Sequence, residues 1–476
     1  MRLITLSTLI LSTFSAFAQN MTGKVWDLQT CIDAAIKNSL DVQQSMLSVE
    51  QNELGFKQSK YNRLPDLNGS GGLYFQAGRS TDRFTNTNVT NNVTQNNYQL
   101  NSTLVLFAGG QLNNNIKYNK YNWMASEYDL INVEQNISLN VANLFLQVAQ
   151  ARELKKSYEQ NLKNTTAQLD KAQKQFDAGV INEGNLLNMK AQEATDLSNI
   201  VTAENQERTA LTSLKLLLRL PFEDKLDIEI PLTGSIIPQV YPDSLTVIFD
   251  SAMTKRTDVK ASEMRLKAYM FRKKSIMGAL LPSLTAAANL STLYSSNAKT
   301  YLNPHYDEWQ TTGRVVGNAV PNVETPKWLY DINTINYGTQ MKNNIGNWVG
   351  ASLAVPIFTK FQNSTNVKVA NLDVERYRIA YERSKQNLYN EVVTAYNSFL
   401  SAMNRLKASK LSLESQNKNL DFVQKRFDAG QAAAIDLQIS KATQAAAQVS
   451  LLSVQYEYIF RRMVLDFYMG QKLELK

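Results

Sequence analysis

One chain of 476 residues carries the same construction twice. Gln175-Phe176-Asp177-Ala178-Gly179 in the first half returns as Arg426-Phe427-Asp428-Ala429-Gly430, 251 positions later. A long helical pattern runs into each copy and another runs out. Glycine directly after a helix is the residue that adopts the left-handed conformation ending it. Each copy therefore reads as the tip of an αα-hairpin. At the same offset Ile137 pairs with Leu388, Val141 with Val392, Phe145 with Tyr396, Val148 with Phe399, and Leu186 with Leu437. Nearer the start of each half the offset is 217. Leu28 to Ala35 is echoed by Leu245 to Ala252, Asp41-Val42 by Asp258-Val259, and Leu64-Pro65 by Leu281-Pro282. The difference between 251 and 217 is 34 residues, inserted between the strands of the second half. A repeat of this kind constrains a fold more than any local propensity does.

The N-terminus reads as a secretory signal peptide, residues 1–18. It has one basic residue, Arg2, a short apolar run from Leu3 to Phe17, and an Ala16-Phe17-Ala18 cleavage site. No cysteine stands at that site, so lipid attachment there is not expected. No later run approaches the ~20 apolar residues of a membrane helix. The exported chain is thus periplasmic, secreted, or inserted as a β-barrel. One cysteine, Cys31, and one histidine, His305, leave little for a thiol–imidazole pair or a metal cluster. Cys31 falls inside a helical pattern as a small packed residue. No catalysis and no cofactor are expected. The net charge of +8 is dispersed among acidic and amide residues, which reads as solvated helix faces and not as a nucleic-acid surface.

Taken in order, Leu28 to about Tyr61 is helical by its apolar spacing, and Pro65 ends it. From Leu67 to Ala77 the period switches to two, with Leu67, Gly69, Gly71, Leu73, Phe75 and Ala77 on one side. Residues 79–97 read as a solvated Thr/Asn loop. Alternation returns from Tyr98 to Phe107 and stops at Ala108-Gly109-Gly110, a strand-to-helix corner. The pattern from Gln111 to Ala178 is a helix about 100 Å long at ~1.5 Å per residue, with a seam stepping by three and four. A second helix returns from Glu183 to Arg219. Residues 19–220 form the first repeat. Residues 221–242, with four prolines, form an irregular connector. The second repeat spans 243–470 and a short tail 471–476. Its strands are expected at Ser283–Tyr294 and Asn347–Phe358, separated by a loop of roughly 50 residues. That loop, 296–345, holds Tyr301, His305, Tyr306, Trp309, Trp328 and Tyr330 and reads as an ordered outer loop with interfacial aromatics.

Four strands per chain cannot close a barrel, and open strand edges are not tolerated in lipid. Two chains give eight strands, whose interior side chains fill. Three give twelve, the smallest count here that leaves a lumen. The expected fold is a mixed α and β membrane protein. It is internally duplicated, with four strands per chain contributing to a trimeric 12-stranded outer-membrane β-barrel. Long coiled-coil helical hairpins continue it as a periplasmic α-helical tube.

The order of these features resembles the TolC-like outer membrane efflux protein family over essentially the whole mature chain. The resemblance rests on the doubled helix–strand–strand–helix–helix unit, Leu-Pro before the first strand, Leu106-Phe107-Ala108-Gly109-Gly110, and the Phe-Asp-Ala-Gly tips. It implies a homotrimeric exit duct in the outer membrane of a Gram-negative bacterium, serving tripartite efflux or type I secretion. It also implies a periplasmic adaptor and an inner-membrane transporter of RND or ABC type as partners, with outer-membrane lipid around the barrel. By the same resemblance Phe176, Gly179, Val180 and Ile181, with Phe427, Gly430, Gln431 and Ala432, are adaptor-docking residues. The family's paired gate aspartates fall on Asp436, which matches, and on Ile439, which does not; the first repeat has Asn185 and Asn188 there. A stand-alone porin would not need the long hairpins, and a secreted coiled-coil protein would leave the alternating strands unexplained.

Overall fold

A computed structural model describes residues 25–81, 86–90, 92–221, 223–229, 236–311 and 324–474. The expected signal peptide and its expected cleavage site at Ala18 lie outside these residues. The chain divides into two compact units, each drawing on both halves of the duplication.

The first unit comprises residues up to Leu54, then 120–268, then 374 onward. It opens with β1 (Val25–Trp26) and α1 (Leu28–Asn38), whose N-cap Asp27 accepts the Thr30 N–H at 2.8 Å. The sequence pattern reads 28–61 as one helix, but the chain breaks at Ser39 and resumes as α2 (Leu40–Tyr61). Ser39 is extended, at φ −66° and ψ 130°. The strands that follow, β2 (Asn68–Gln76), β3 (Arg79–Thr81), β4 (Asn88–Thr90) and β5 (Val93–Ala108), belong to the second unit. The helices α3 (Gln111–Asp177) and α4 (Glu183–Leu218) form the first hairpin. Then comes β6 (Asp227–Ile228), which pairs in parallel with β1 and lies within the connector expected to be irregular.

The second half repeats the break. Between α5 (Leu245–Lys255) and α6 (Thr257–Met277), Arg256 is extended at φ −64° and ψ 128°. Ser39 and Arg256 are themselves 217 positions apart. In each case the breaking residue's N–H returns to an alanine carbonyl, Ala35 at 2.9 Å and Ala252 at 2.8 Å. Neither break carries glycine or proline, so no local signal marks it. Arg256 is held by its surroundings instead: it is buried, pairs with Asp258 at 3.2 Å, and stacks over Phe467 at 5.2 Å.

After β7 (Ser283–Ser295), β8 (Lys299–Thr311), β9 (Glu324–Thr334), α7 (Tyr337–Asn343) and β10 (Gly346–Ala354) come α8 (Gln362–Asp428) and α9 (Ala434–Tyr468). Helices α3 and α8 are each 67 residues long, about 100 Å at 1.5 Å per residue. Two cores form in this unit, one centred on α3 and completed by Tyr456 and Met463 of α9, the other centred on α8. The first gathers Cys31, Val141, Phe145 and Leu214; the second gathers Ile248, Leu388, Val392 and Phe399. Of the five paired positions read from the sequence, only Tyr396 is not fully buried. Burial pushes the Cys31 thiol up to about 12, so it is a packed, inert group.

The second unit comprises 55–119 and 269–373. Its four-stranded antiparallel sheet runs β10-β7-β5-β2. Register puts Gly69 opposite Leu100 and Leu100 opposite Leu290, while Asn101 stands opposite both Asn68 and Asn289. One face thus carries Leu73, Phe75, Tyr98, Leu100, Leu290, Val349 and Leu353, with Asn96, Thr292 and Asn347 among them. The other carries Asn68, Ser70, Gln99, Asn101, Asn289 and Ser291, with Tyr74, Leu293 and Trp348 among them, and an Asn289–Asn101 side-chain hydrogen bond of 2.6 Å.

Several expectations are corrected here. The loop 79–97 contains the β3–β4 hairpin, and β5 begins at Val93 rather than Tyr98. The long loop 296–345 contains the β8–β9 hairpin and α7. Strand β10 stops at Ala354, short of Phe358, because Pro356 has no N–H to give a ladder.

The strand-to-helix corner is left-handed at both its glycines, Gly109 (φ 56°) and Gly110 (φ 79°). A Cβ on Gly109 would sit 2.4 Å from the Gly278 carbonyl oxygen, and one on Gly278 would sit 2.6 Å from that of Gly109. Offset by 251, the second corner is made by Lys360 (φ 51°) and Phe361 (φ 62°). The backbone shape is kept without glycine. At the first corner the demand for glycine therefore comes from contact as well as from φ. Gly109→Ala is expected to destabilise by more than the ~1–2 kcal/mol of a left-handed residue alone. Gly110→Ala, whose Cβ meets only the Asn114 amide at 3.5 Å, stays within that range. Thermal unfolding of the two purified variants checks this ordering.

Candidate functional site: the duplicated helical tips

Both hairpin tips close by the same bonds. Gly179 N–H donates to the Phe176 carbonyl and Val180 N–H to that of Gln175, each at 2.8 Å. At the second tip Gly430 N–H donates to Phe427 at 2.9 Å and Gln431 N–H to Arg426 at 2.8 Å. These crossed pairs are Schellman closures, and Gly179 and Gly430 sit at φ 72° and 71°. No atom lies within 4 Å of a Cβ built on either glycine. The tips are accessible, and Val180 is 70% exposed. Phe176, Ile181, Phe427 and Ala432 are half-buried, and Gln431 is exposed.

The last helical turns are duplicated bond by bond. Lys174–Asp170 and Lys425–Asp421 are ion pairs of 2.6 Å each. Gln173–Asp177 at 2.9 Å is matched by Gln424–Asp428 at 3.1 Å. Across each hairpin, Thr166–Glu193 and Asn417–Gln444 hydrogen bonds of 2.9 Å occupy equivalent places. Gln438 donates to Gln192 at 3.3 Å, which brings α9 beside α4 near the tips.

The returning helices start differently. Asn182 caps α4 by accepting the Asn185 N–H at 2.9 Å. At α9 the N-cap is Ala433, which has no side-chain acceptor. Asp436 reaches back instead and accepts the Ala433 N–H at 3.2 Å. Asp436 is exposed, so this bond gives it a helix-start role without removing it from solvent. Asn185 is half-buried and Asn188 exposed.

Pattern reading missed three groups here. Phe422, 59% exposed, lies under the Arg426 guanidinium at 5.8 Å, and Ile435 and Ile439 are also exposed near the second tip. Lys441 lies below the ordinary lysine range because burial disfavours its charge; Asp428 opposes that shift and Lys171 adds to it. A single exposed apolar residue or lysine on a helix carries no sequence signal of this kind. Among the described residues no group of three or more His, Cys, Asp or Glu side chains is placed to hold a metal ion. No helix among them is long and apolar enough to cross a membrane.

The family model described as outer membrane efflux protein matches residues 31–218 and 248–471, both halves of the duplication. The chain belongs to the outer membrane efflux protein family. It is 22% identical over 429 residues to the probable outer membrane lipoprotein SilC of Salmonella typhimurium, covering 89% of this chain and 81% of that one. It is 21% identical over 457 residues to the outer membrane efflux protein BepC of Brucella suis, covering 96% and 86%. A crystal structure of CusC superposes with a TM-score of 0.75 at 18% identity, over 96% of each chain. That likeness covers helices and strands together. Family membership assigns the chain to the Gram-negative outer membrane and to efflux.

The Lys441 environment yields a pH signature. Its pKa is lower folded than unfolded, so the unfolded chain binds more protons in between, and stability rises with pH through that window. Lys441→Met is expected to raise the unfolding temperature at neutral pH. The gain over the parent protein shrinks as pH approaches ~10.4, the ordinary lysine value. Paired melting curves from pH 7 upward read this out.

Proposed function

We propose that three copies of this chain form one exit duct, taking substrates from an inner-membrane transporter and its periplasmic adaptor across the outer membrane. The observation that carries the reading is the four-stranded sheet. One face carries most of its large aliphatic side chains and the other most of its amides and hydroxyls, and its outer strands β2 and β10 each have a single neighbour among the described residues. Edge-to-edge pairing of β10 with β2 of the next copy satisfies both edges. With three copies the sheet closes at twelve strands, with the apolar face toward lipid and the polar face toward the lumen. The helical hairpins then form the periplasmic tube, and transport is passive along it.

In this reading the two tips are the adaptor-docking surface. Phe176, Val180 and Ile181, with Phe427, Gln431 and Ala432, present the same backbone frame twice per chain, hence six times per trimer. Gly179 and Gly430 hold that frame. The transporter, of RND or ABC type, selects the substrate. Asp436 supplies three carboxylates to the periplasmic constriction, with Asn185 as its neutral counterpart in the first repeat. A ring of like charge there attracts cations and slows anions.

Two outcomes are expected. Gly179→Glu or Gly430→Glu adds about 1–2 kcal/mol of local left-handed strain and a charge at the docking surface. Export should fall sharply while an intact trimer still inserts; normal export with either variant refutes the docking role. A complex mass other than three chains refutes the trimer. Asp436→Asn should lower cation-over-anion selectivity in single-channel recordings, and an unchanged reversal potential removes the gate assignment.

A further inference from the structure

Helix α7 leans over the apolar face of the sheet and leaves a cleft beneath it. The cleft has a volume of about 590 Å³, within the usual range for ligand pockets. Its floor is Gly69, Leu100 and Leu290, three residues in register across β2, β5 and β7. Gly71 and Tyr98, also in register, form one wall, and Met341 and Ile345 form the roof. The floor is low because glycines stand on the outer strand. A Cβ on Gly71 would lie 3.0 Å from the Tyr98 ring, which folds over the space a side chain would fill.

The roof is fixed, not draped. Gln340, buried to 1% exposure, accepts the Ser295 N–H at 2.9 Å and donates to the Ser295 and Ile335 carbonyls at 3.0 and 2.7 Å. Thr292 Oγ1 donates to the Met341 carbonyl at 2.9 Å, and Asn344 Nδ2 to that of Leu293 at 2.8 Å. Tyr337 sets its hydroxyl 3.3 Å from that of Tyr98 and its ring 5.0 Å from that of Tyr294. An anchored roof over an apolar floor makes a preformed slot. Yet Leu100, Leu290 and Ile345 remain 40%, 45% and 58% exposed.

We propose that this cleft holds one acyl chain of an outer-leaflet lipid. The inference rests on the barrel reading above, which turns this face toward hydrocarbon. The leaflet follows from chain order. Every strand of the four-stranded sheet joins a helix of the tube at one end, whereas α7 and the β8–β9 hairpin stand at the other. The occupant follows from the lining. Thr292 spends its hydroxyl on the Met341 carbonyl, and Ser70, Gln99 and Ser291 are in register on the other face. That leaves apolar side chains and glycine along the slot and tyrosine hydroxyls at one side, a fit for a methylene chain whose polar end emerges at the aromatic level. In hydrocarbon the preference for one held chain comes from van der Waals contact with both floor and roof, which the open face outside the cleft supplies on one side only.

The test is photo-crosslinking in the full chain, assembled in outer membranes and then carried through detergent exchange. A photoreactive residue replaces Ile345 in the cleft, Val349 on the same face outside it, or Ser352 on the polar face. Trimer mass is measured for each before irradiation. The expected result is a lipid adduct at 345 at about tenfold the yield at 349, the ratio that ~1.4 kcal/mol of preferential binding produces. None is expected at 352. The adduct's mass tells a phospholipid chain from a lipid A chain, and either source supports the site. Met341→Trp, combined with the label at 345, fills the cleft and should abolish the excess without changing the trimer mass. Equal yields at 345 and 349 in an intact trimer overturn the site and leave the barrel standing. Adducts at 352 in place of 349 overturn the barrel reading itself.

Discussion

The unpaired backbone groups of β2 and β10 are what the rest of the protein answers to. Each of these strands has one partner among the described residues, and an amide left unpaired in hydrocarbon costs several kcal/mol. In the proposed assembly that demand is met by other copies. The number of copies then sets everything downstream. Strand β5 passes into α3 through a tight corner and β10 is followed by α8, so each chain added brings one four-stranded sheet together with two helical hairpins. In the proposed assembly the wall and the tube cannot be sized separately.

The duplication is kept more faithfully in bonds than in letters. Thr166–Glu193 and Asn417–Gln444 use four different residue types for one cross-hairpin contact at equivalent positions. Ser39 and Arg256 share nothing chemically yet break their helices at matching φ and ψ. Buried positions on α3 cluster from Ile137 to Ala151, and beyond them only Ala172 is buried before the tip. The tip ends are tied by exposed polar pairs, each worth about 0.2–0.5 kcal/mol. They are the part of the hairpins best able to rearrange while the cores stay packed.

What was legible in the sequence follows from where the causes sit. The tips, the long helices and the four wall strands were readable because glycine, heptad spacing and alternation are local signals, and the repeat confirmed each one. The register-paired Gly69 and Leu100 fell on the expected faces for the same reason. The breaks at Ser39 and Arg256 were hidden because tertiary contacts impose them. Strand β6 was hidden because two residues are too few to show a period. The β8–β9 hairpin lay inside a stretch whose aromatics suggested a loop, and α7, with seven residues, is shorter than any helical signal. At the candidate site the glycine frame was visible, but the bond from Asp436 to Ala433 was not. Nothing in the pattern marks an alanine N-cap as needing help from the third residue of the helix.

The two strand-to-helix corners have nearly the same backbone and opposite histories written into them. Gly109 and Gly278 each occupy the only space the other's side chain would need, so neither can change first. Lys360 and Phe361 bend the chain the same way by tolerating an unfavourable φ, and no such mutual exclusion is seen between them. Two halves descended from one ancestral segment should therefore drift at different rates at a single shared bend. Across relatives the first corner will be nearly invariant, while the second will wander among residues that accept a left-handed turn.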